Sequence, residues 1–447
     1  MSASLDPFAS ASKLDHGEVV GSSTQGRAIT IHRGGADDCG PRVLLVGGQH
    51  GDESLARGAV NRFLQTVRAT NRTIGVQLAA IADLNPDGHA ARTRRNAAGI
   101  DLNRDHQRLH AVETRLLHQL VRRWRPDLIV DVHTYPSRRK HLLQRGWAYC
   151  HDVFLDLPNN PALPASMRRG KLNEGMHRVM DQLREEGFLA DRYLLVRRSG
   201  RVRHSTADVV DARNQFALRY GIPVILVEGK QPRRAASSSA RRRTRQALVR
   251  TLQHIVDWAA ANGTGLAARP TTLADHPRVA VGCRYQPADA PARLLLEQVD
   301  SGQPKEVELP GRYTPTLRAT QYARLPDAYA VPTALAGLNQ LLAAHGFQSG
   351  SVASAPGHRP PRLVQQYMIE NCVLSRRPDR AARQVSLATR SFRGSLAGYT
   401  CYGTDQRGGS CLAVLLEPNS KYGLARYGEY GLSLRPGDTY PILRCEG

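Results

Sequence analysis

Apolar residues in the N-terminal half of the chain follow two alternating patterns. Short, almost continuous apolar runs predict buried strands, and between them apolar residues recur at the spacing of amphipathic helices. The predicted strands are two runs in "EVVGSSTQGRAITIHR" around a turn at Gln25 and Gly26, then "RVLLVGG", "GVQLAAIADLN", "DLIVDVH" and "IPVILVEG". The predicted helices are "ESLARGAVNRFLQTVRA", "AVETRLLHQLVRRW", "GKLNEGMHRVMDQLREEG" and "SSARRRTRQALVRTLQHIVDWAAAN".

The strands "DLIVDVH" and "IPVILVEG" are apolar on both faces, which is typical of interior strands in a parallel or mixed sheet. Strands that alternate with helices indicate that helices cover both sides of such a sheet. We therefore predict that residues 1–265 form a three-layer α/β/α domain around a mixed sheet. Within it, "NPDG" predicts a turn.

The pattern changes after the segment "GTGLAARPTTLADHP". From Arg278 onward the apolar runs are shorter, proline and glycine are frequent, and one clear helix is predicted, "PTALAGLNQLLAAHG". Residues 278–447 are therefore expected to form a smaller, β-rich α+β domain.

The charge balance is strongly positive, with 62 lysines and arginines against 39 acidic residues and a formal net charge of +23. Such an excess favours an anionic substrate or partner, although the arginine usage of a high-GC genome would also produce it. Nucleic-acid binding is not expected. The basic segment "QPRRAASSSARRRTR" is accompanied by no recognised binding module, and aromatic residues make up only 6% of the chain.

No apolar run approaches the roughly 20 residues of a transmembrane helix. The N-terminal segment also lacks the basic start and apolar core of a signal peptide, so a cytoplasmic protein that does not bind membranes is expected. The seven cysteines are scattered without a C-x-x-C pair, which favours free thiols over a disulfide framework.

Three predicted strands are followed by, or end in, metal-binding or acidic residues. His50 and Glu53 form H-x-x-E after "RVLLVGG", His133 ends "DLIVDVH", and Glu228 ends "IPVILVE". Because sites in α/β sheets collect at the carboxyl ends of strands, the first three can meet at one zinc ion and leave a position for water. A carboxylate such as Glu228 at the end of an apolar strand is costly unless it has a function or a partner. Taken alone, H-x-x-E also fits a surface histidine and an acidic helix N-terminus, and Glu228 fits an ion pair with a nearby arginine.

Several motifs in a fixed order resemble the zinc metallocarboxypeptidases of the funnelin type, which include carboxypeptidase A-like enzymes and bacterial murein-peptide amidases. They are "STQGRAI", "GGQHGDE", "LNPDG", an arginine followed by "NAAGIDLNR", "DVHTYP" and "ILVEG", within about residues 18–262. An ordered set of this kind is much more specific than any single motif. The segments "QYARLPDAYAVP" and "CLAVLLEPNSKYGLARYGEY" resemble the appended domain of some larger bacterial members.

The resemblance implies one zinc ion per chain, bound by His50, Glu53 and His133. It implies that Glu228 is the general base for a zinc-bound water and that Arg94 stabilises the oxyanion of the scissile carbonyl. These residue types suit the chemistry, since zinc acidifies its water, a carboxylate moves the proton, and a guanidinium donates where negative charge develops.

The resemblance also assigns residues around that centre. Arg95 lies one register away from Arg94 and is the alternative to it. Asn103 and Arg104 are implied to bind the terminal carboxylate of the substrate, for which a planar guanidinium is well suited. Asp101 is implied to orient the ring of His50 from behind.

The expected activity is hydrolysis of a peptide or peptide-like amide bond with release of a C-terminal residue. The loop tyrosine that such carboxypeptidases place before the catalytic glutamate has no clear counterpart, since His204, Ser205 and Thr206 occupy that part of the chain. An amidase or deacylase of small acyl-amino acids, as in desuccinylases and aspartoacylases of the same fold, is therefore the alternative. An inactive binding protein on this fold is less expected, because no ligand or base is missing.

Basic residues follow the strand ends that are predicted to form the active face. They favour an acidic substrate by electrostatic steering, and solvated loop arginines are the alternative interpretation. The residues are Arg92, Arg94, Arg95, Arg104, Arg138, Arg139, Lys140 and Arg233.

Overall fold

The computed structural model of the protein describes most of the chain between residues 14 and 446. Arg233 and nearly all of the segment between the two predicted domains lie outside the described residues. Within the described part, none of the helices combines the length and apolar character that a membrane crossing requires. The ranges not described inside these limits are 36–39, 71–74, 169, 233–236, 264–265, 267–277, 310–312, 351–360 and 374–383.

The N-terminal part alternates strands and helices. Its strands are β1 (Glu18–Ser22), β2 (Ala28–Gly35), β3 (Arg42–Val46), β4 (Gln77–Ile81), β5 (Leu128–Pro136), β6 (Trp147–Tyr149), β7 (Val153–Asp156), β8 (Ala190–Arg192), β9 (Leu195–Val196), β10 (Val202–Arg203) and β11 (Val224–Gln231). Its helices are α1 (Ser54–Thr70), α2 (Pro86–Ala91), α3 (Val112–Trp124), α4 (Lys140–Leu143), α5 (Ala165–Arg168), α6 (Lys171–Glu185), α7 (Ala212–Tyr220) and α8 (Ser238–Asn262), with a 3₁₀ turn at Leu102–Arg104.

An eight-stranded mixed sheet organises this part, in the order β1-β2-β4-β3-β5-β11-β7-β8. The pairs β4-β3, β3-β5 and β5-β11 are parallel. The pairs β1-β2, β2-β4 and β11-β7 are antiparallel. The central strands therefore all end at one edge, which is the edge where their loops can form a site.

Alternate residues of each central strand pack into different layers. Val43 and Leu45 of β3 belong to a core shared with α1, α6 and α8, whereas Leu44 and Val46 belong to a core shared with α3 and α7. All four are buried, and each contributes roughly 1.5–3 kcal/mol relative to an exposed side chain. The predicted three-layer α/β/α domain is confirmed. The turn predicted at "NPDG" is in part wrong, because the motif begins the short helix α2. Asn85 caps this helix by accepting a hydrogen bond from the backbone N–H of Gly88 (2.9 Å).

The C-terminal part is rich in antiparallel strands, as predicted. Its strands are β12 (Arg278–Gln286), β13 (Ala292–Gln298), β14 (Pro304–Leu309), β15 (Thr316–Arg324), β16 (Ala328–Pro332), β17 (Leu363–Val373), β18 (Gln384–Ser391), β19 (Tyr399–Gly403) and β20 (Thr439–Glu446). Its helices are α9 (Ala336–Ala344) and α10 (Ser410–Leu416), with a 3₁₀ turn at Leu424–Tyr427.

The sequence predicted one clear helix in this part, but the run "CLAVLLEP" forms a second helix, α10. Every residue of α10 is buried, so the run has no polar face, and periodicity cannot distinguish a short buried helix from a strand. A β18-β17-β20-β16-β19 sheet forms the main layer of the C-terminal part.

The two parts of the chain share packing. Strand β13 pairs with β6, which lies in the N-terminal part, and one hydrophobic core joins Leu109, Leu163 and Val209 to residues of α9 and α10. The division into domains at 1–265 and 278–447 stays a prediction. The shared core shows that the C-terminal part is packed against the loops that surround the N-terminal sheet.

Candidate metal centre and active site

The parallel strands β3, β5 and β11 bring the predicted site residues to one sheet edge. In the pairing of β5 with β11, His133 lies directly opposite Glu228. In the pairing of β3 with β5, Val46 at the end of β3 lies opposite Asp131, so the loop that follows β3 runs beside His133. Side-by-side strand ends thus place His50, Glu53, His133 and Glu228 together.

Glycines allow the loop after β3 to approach α2 closely. A Cβ atom on Gly51 would lie 1.9 Å from the backbone carbon of Gly88, so no other residue fits without moving α2. Gly48 has a φ of +67°, which L side chains rarely adopt. The close approach fixes His50, which lies between these two glycines, over the end of β5.

Three ligand-type atoms converge at this edge. The Nδ1 atoms of His50 and His133 lie 3.1 Å apart, and the Glu53 carboxylate contacts both, at 2.8 Å from His50 and 3.1 Å from His133. All three side chains are buried. Two imidazole nitrogens and a carboxylate oxygen that point at one buried space are the donor set of a zinc-type centre, and the cluster fits one divalent metal ion.

Carboxylates support the far side of each imidazole. Nε2 of His50 lies 3.0 Å from Asp101, and Nε2 of His133 lies 2.9 Å from Asp131. An acceptor at Nε2 keeps the proton on that nitrogen, which leaves the lone pair of Nδ1 available for a metal. The Thr134 backbone N–H also donates to Glu53 (2.8 Å), which fixes the carboxylate between the rings.

Glu228 is only partly exposed at the mouth of this cluster. Its carboxylate makes no hydrogen bond within the described part of the chain, so its oxygens are available to a ligand or a water molecule. Burial raises the pKa of Glu228 to about 7, and the neighbouring Glu53 adds to the rise, whereas His133 opposes it. A partly buried carboxylate with a pKa near neutrality can accept and return a proton.

Arg94, and not Arg95, reaches the cluster. The Arg94 guanidinium donates to Asp101 (2.9 Å) and lies 3.2 Å from His50 Nδ1 and 3.5 Å from Glu53. Arg95 instead donates to the carbonyl of Gly99 (2.6 Å) and is exposed. Of these two arginines, Arg94 is therefore the one that can donate to an atom bound at the centre.

Asn103 and Arg104 have different surroundings. Asn103 is buried, its Oδ1 accepts from the Ala212 backbone N–H (3.0 Å), and its Nδ2 lies 3.0 Å from His133 Nε2. Arg104 is exposed and donates to the carbonyl of Asn103 (2.6 Å). Binding of a terminal carboxylate by this pair stays a prediction. Of the two residues, the exposed Arg104 is better placed to bind the carboxylate.

Some residues near the centre were missed by sequence reasoning. Asp131 is one, although its position two residues before His133 on a strand puts both on the same face, which is a usable signal. Tyr193 is another, a buried tyrosine whose pKa is raised by burial and by the charge of Glu228. By contrast, His204, from the segment where the loop tyrosine has no counterpart, is buried and contacts the carbonyl of Tyr193 (3.0 Å).

The predicted basic cluster is only partly available to a substrate. Glu297 of β13 pairs with Arg138 (3.2 Å) and with Lys230 (3.3 Å), so the C-terminal part neutralises some of the positive charge at these strand ends. Arg92 is exposed and forms no ion pair among the described residues. The predicted basic residues therefore differ in how much of their charge a substrate can meet.

The mixed sheet thus carries a buried His-Glu-His cluster, a candidate metal centre, at its carboxyl edge. Residues 39–189 match the family model described as the succinylglutamate desuccinylase/aspartoacylase catalytic domain. The chain is also a distant relative of carboxypeptidases, so the resemblance to this group of hydrolases is confirmed.

The curated relatives cover a limited part of the chain. Carboxypeptidase 2 from Trichophyton rubrum is 25% identical over 186 residues, which is 40% of this chain and 35% of that protein. Carboxypeptidase 2 from Trichophyton tonsurans is 26% identical over 147 residues, which is 32% of this chain and 26% of that protein. The chain thus spans about a third or less of the length of these relatives.

Solved structures show the same distant similarity. A metallo-carboxypeptidase from Pseudomonas aeruginosa, in complex with (2-guanidinoethylmercapto)succinic acid, is 20% identical with a TM-score of 0.42, over 57% of this chain and 66% of that chain. The murein-tripeptide amidase from Escherichia coli O157 is 16% identical with a TM-score of 0.34, over 55% of this chain and 93% of that chain.

Proposed function

We propose that this protein is a zinc-dependent hydrolase that cuts a peptide or peptide-like amide bond and releases a C-terminal residue. The observation that carries the proposal is the convergence of His50, Glu53 and His133 beside a carboxylate, Glu228, that no described residue holds by a hydrogen bond. The metal would polarise the scissile carbonyl and acidify a water. Glu228 would take the proton from that water and return it to the leaving amine.

Other residues of the chain would then position the substrate. Arg94 would donate to the oxygen on which negative charge develops, since its guanidinium already lies beside His50 and Glu53. Arg104, at the exposed side of the site, would bind the terminal carboxylate. Asp101 would hold His50 in the orientation that a metal requires.

Hydrolysis of a small acyl-amino acid is the second candidate function. The match of residues 39–189 to the desuccinylase/aspartoacylase catalytic domain favours it, as does the absence of a tyrosine in the segment where carboxypeptidases carry one. The same cluster and the same base would serve this reaction.

Anionic substrates are favoured by a cavity beside the metal centre. The cavity has a volume of about 610 Å³ and begins at Gly51 and Thr134, each of which follows a candidate metal ligand. Its walls carry Arg57, Arg92 and Arg241 against one acidic residue, Asp52. We therefore propose that acidic groups of the substrate bind in this cavity.

Metal-dependent hydrolysis of a substrate panel tests the function. We expect zinc-loaded protein to release the C-terminal residue from peptides, faster when the peptide is acidic, and a chelator to stop the release. Release only from N-succinyl- or N-acetyl-amino acids would replace the peptidase proposal by the second candidate. A protein that binds zinc and hydrolyses neither class would be a binding protein on this fold.

Arg92 tests the acidic preference. It ends α2 in the left-handed conformation (φ 54°), which glycine adopts with less strain, and its side chain lines the cavity. Arg92→Ala is expected to lower the ratio of kcat/KM for acidic over neutral peptides about two- to fivefold, because an exposed ion pair contributes up to about 1 kcal/mol. The ratio should also fall as salt is added.

Arg62→Ala is the matched control, because Arg62 is an exposed arginine on α1 that does not line this cavity. It should leave the ratio unchanged. An acidic-to-neutral ratio in Arg92→Ala equal to that of the unmodified protein, at both salt concentrations, would remove Arg92 from the proposal.

A further inference from the structure

A continuous series of buried, hydrogen-bonded side chains leads from His133 away from the substrate side of the metal centre. The series crosses from β5 through the loop after β3 to α3 and α7, and its members are all buried. The successive contacts are His133 Nε2 to Asp131 Oδ1 (2.9 Å), Asp131 Oδ1 to Gln49 Nε2 (2.6 Å), Gln49 Oε1 to His106 Nε2 (2.8 Å), His106 Nδ1 to His118 Nε2 (3.1 Å) and His118 Nδ1 to the Tyr220 hydroxyl (2.8 Å).

Each hydrogen bond in this series of side chains can be donated in only one direction. An ionised Asp131 only accepts, so the Gln49 amide nitrogen donates to it and the Gln49 amide oxygen faces His106. His106 must then donate from Nε2 and accept at Nδ1, provided that the ring is neutral. Burial lowers the pKa of His106 to about 4, so the neutral ring is the stable form at neutral pH.

The direction of donation is the same at the far end of this series of side chains. His118 donates from Nε2 to His106 and accepts at Nδ1 from the hydroxyl of Tyr220. Burial also lowers the pKa of His118 well below its usual value, and burial raises the pKa of Tyr220, so the first stays neutral and the second stays protonated. Phe216 packs against both imidazoles, with ring centroids 5.2 Å and 4.7 Å away. All the hydrogen bonds therefore point toward Asp131.

Two neighbours of His133 Nε2 favour opposite tautomers. Asp131 accepts a proton from Nε2, which leaves Nδ1 with a lone pair for a metal. Asn103, whose oxygen is occupied by the Ala212 N–H, presents an N–H to the same nitrogen (3.0 Å) and would favour a proton on Nδ1. The acceptor strength of Asp131 decides between them, and among the described residues its side chain is bonded only by His133 and Gln49, both at Oδ1.

We propose that Gln49, His106 and His118 are positioning residues that hold Asp131 as the acceptor for His133 Nε2 and thereby direct the Nδ1 lone pair toward the metal. The proposal rests on the proposed function only in that a divalent metal binds at the His50-Glu53-His133 cluster. None of the three touches the substrate side of the site. Their effect reaches the metal through the orientation and tautomer of one ligand.

The C-terminal part of the protein holds this chain of side chains in place. His345, at the end of α9, donates from Nε2 to the carbonyl of Gln107 (2.9 Å). The ring of His345 lies 5.4 Å from that of His118. The Gln107 side chain donates to the carbonyl of Tyr422 and accepts from Arg426 (2.9 Å). The residue next to His106 is thus fixed by the C-terminal part.

The test measures zinc affinity in the absence of substrate. Gln49→Met keeps a side chain of similar length and removes both hydrogen bonds, and it is expected to raise the zinc dissociation constant about 10- to 100-fold, as loss of a residue behind a metal ligand does. Tyr220→Phe removes a single donor at the far end and is expected to raise the constant about two- to threefold. Gln65→Met, at an exposed position on α1, is the matched control and should not change it.

A readout of the tautomer separates positioning from a general loss of stability. Nitrogen chemical shifts of His133, measured in the metal-free protein at a pH above the raised pKa of this residue, should move toward the Nδ1-protonated form in Gln49→Met and not in Gln65→Met. Wild-type zinc affinity and an unchanged His133 tautomer in folded Gln49→Met would overturn the proposal. If Gln49→Met does not fold, the same result in Tyr220→Phe overturns it. A wild-type protein that binds no zinc would instead overturn the proposed function.

Discussion

Replacement of Glu228 by glutamine is expected to lower kcat for hydrolysis about 10²- to 10⁴-fold while zinc binding remains. Glutamine keeps the size of the side chain and can neither accept the proton of a metal-bound water nor return it to the leaving group. Glu228 lies opposite His133 in the parallel pairing of β5 and β11, and it is not one of the converging ligand atoms. This variant should therefore bind zinc as the unmodified protein does but hydrolyse the substrate much more slowly.

The pH profile provides a second measurement of the same residue. Burial raises the pKa of Glu228 to about 7 in the metal-free protein, and a bound cation nearby would lower it. We expect kcat/KM of the zinc-loaded protein to rise with pH along an acidic limb below about pH 7, and this limb should be lost in Glu228→Gln. Glu185→Gln, which changes an exposed glutamate on α6, is the control and should keep both rate and profile. Full activity in zinc-loaded Glu228→Gln would contradict the mechanism.

Replacement of His133 by asparagine is expected to abolish stoichiometric zinc binding and to reduce hydrolysis to background. His133 supplies one of three converging atoms, and its loss leaves the metal only His50 and Glu53. In the unmodified protein, zinc at about 100 times its dissociation constant should add about 2.7 kcal/mol to the free energy of unfolding. That gain should be absent in His133→Asn, and it should remain in the control His177→Asn, an exposed histidine on α6.

The metal-induced stabilisation should depend on pH. Burial lowers the pKa of His133, yet Asp131 and Glu53 outweigh it and raise the pKa well above 6.5 in the metal-free protein. Stability from this protonated histidine is fully present below about pH 6.5 and is lost as the pH rises through the raised pKa. Zinc competes with that proton, so the rise in Tm on adding zinc should be larger at pH 8 than at pH 6. A zinc-induced rise that is equal at the two pH values, or that survives in His133→Asn, would exclude His133 as a ligand.

The order of elements in the N-terminal part could be predicted because its strands are apolar on both faces and its helices have one apolar face. This pattern depends on nothing beyond the local sequence. The C-terminal part was harder to predict, because the buried helix α10 has no polar face and β6 of the N-terminal part pairs with β13. Periodicity does not report pairing between strands that are distant in the chain.

The candidate site was predictable where its residues follow strand ends. His50, Glu53, His133 and Glu228 follow or end parallel strands, and such ends meet at one sheet edge whatever the rest of the fold does. The spacing of residues could not decide between Arg94 and Arg95, because they are adjacent, and the choice of Arg94 came from the family resemblance. The turn after α2 directs Arg94 inward.

The sequence by itself determined the layered fold of the N-terminal part, the His-Glu-His set and the adjacent glutamate, because periodicity and strand-end position are local properties. Only the tertiary structure decided which basic residues stay available, since Glu297 from the C-terminal part neutralises Arg138 and Lys230. Only the tertiary structure also joined Gln49, His106 and His118 behind His133. These three lie on different segments, and a hydrogen bond requires that donor and acceptor be brought within about 3 Å, which packing alone achieves.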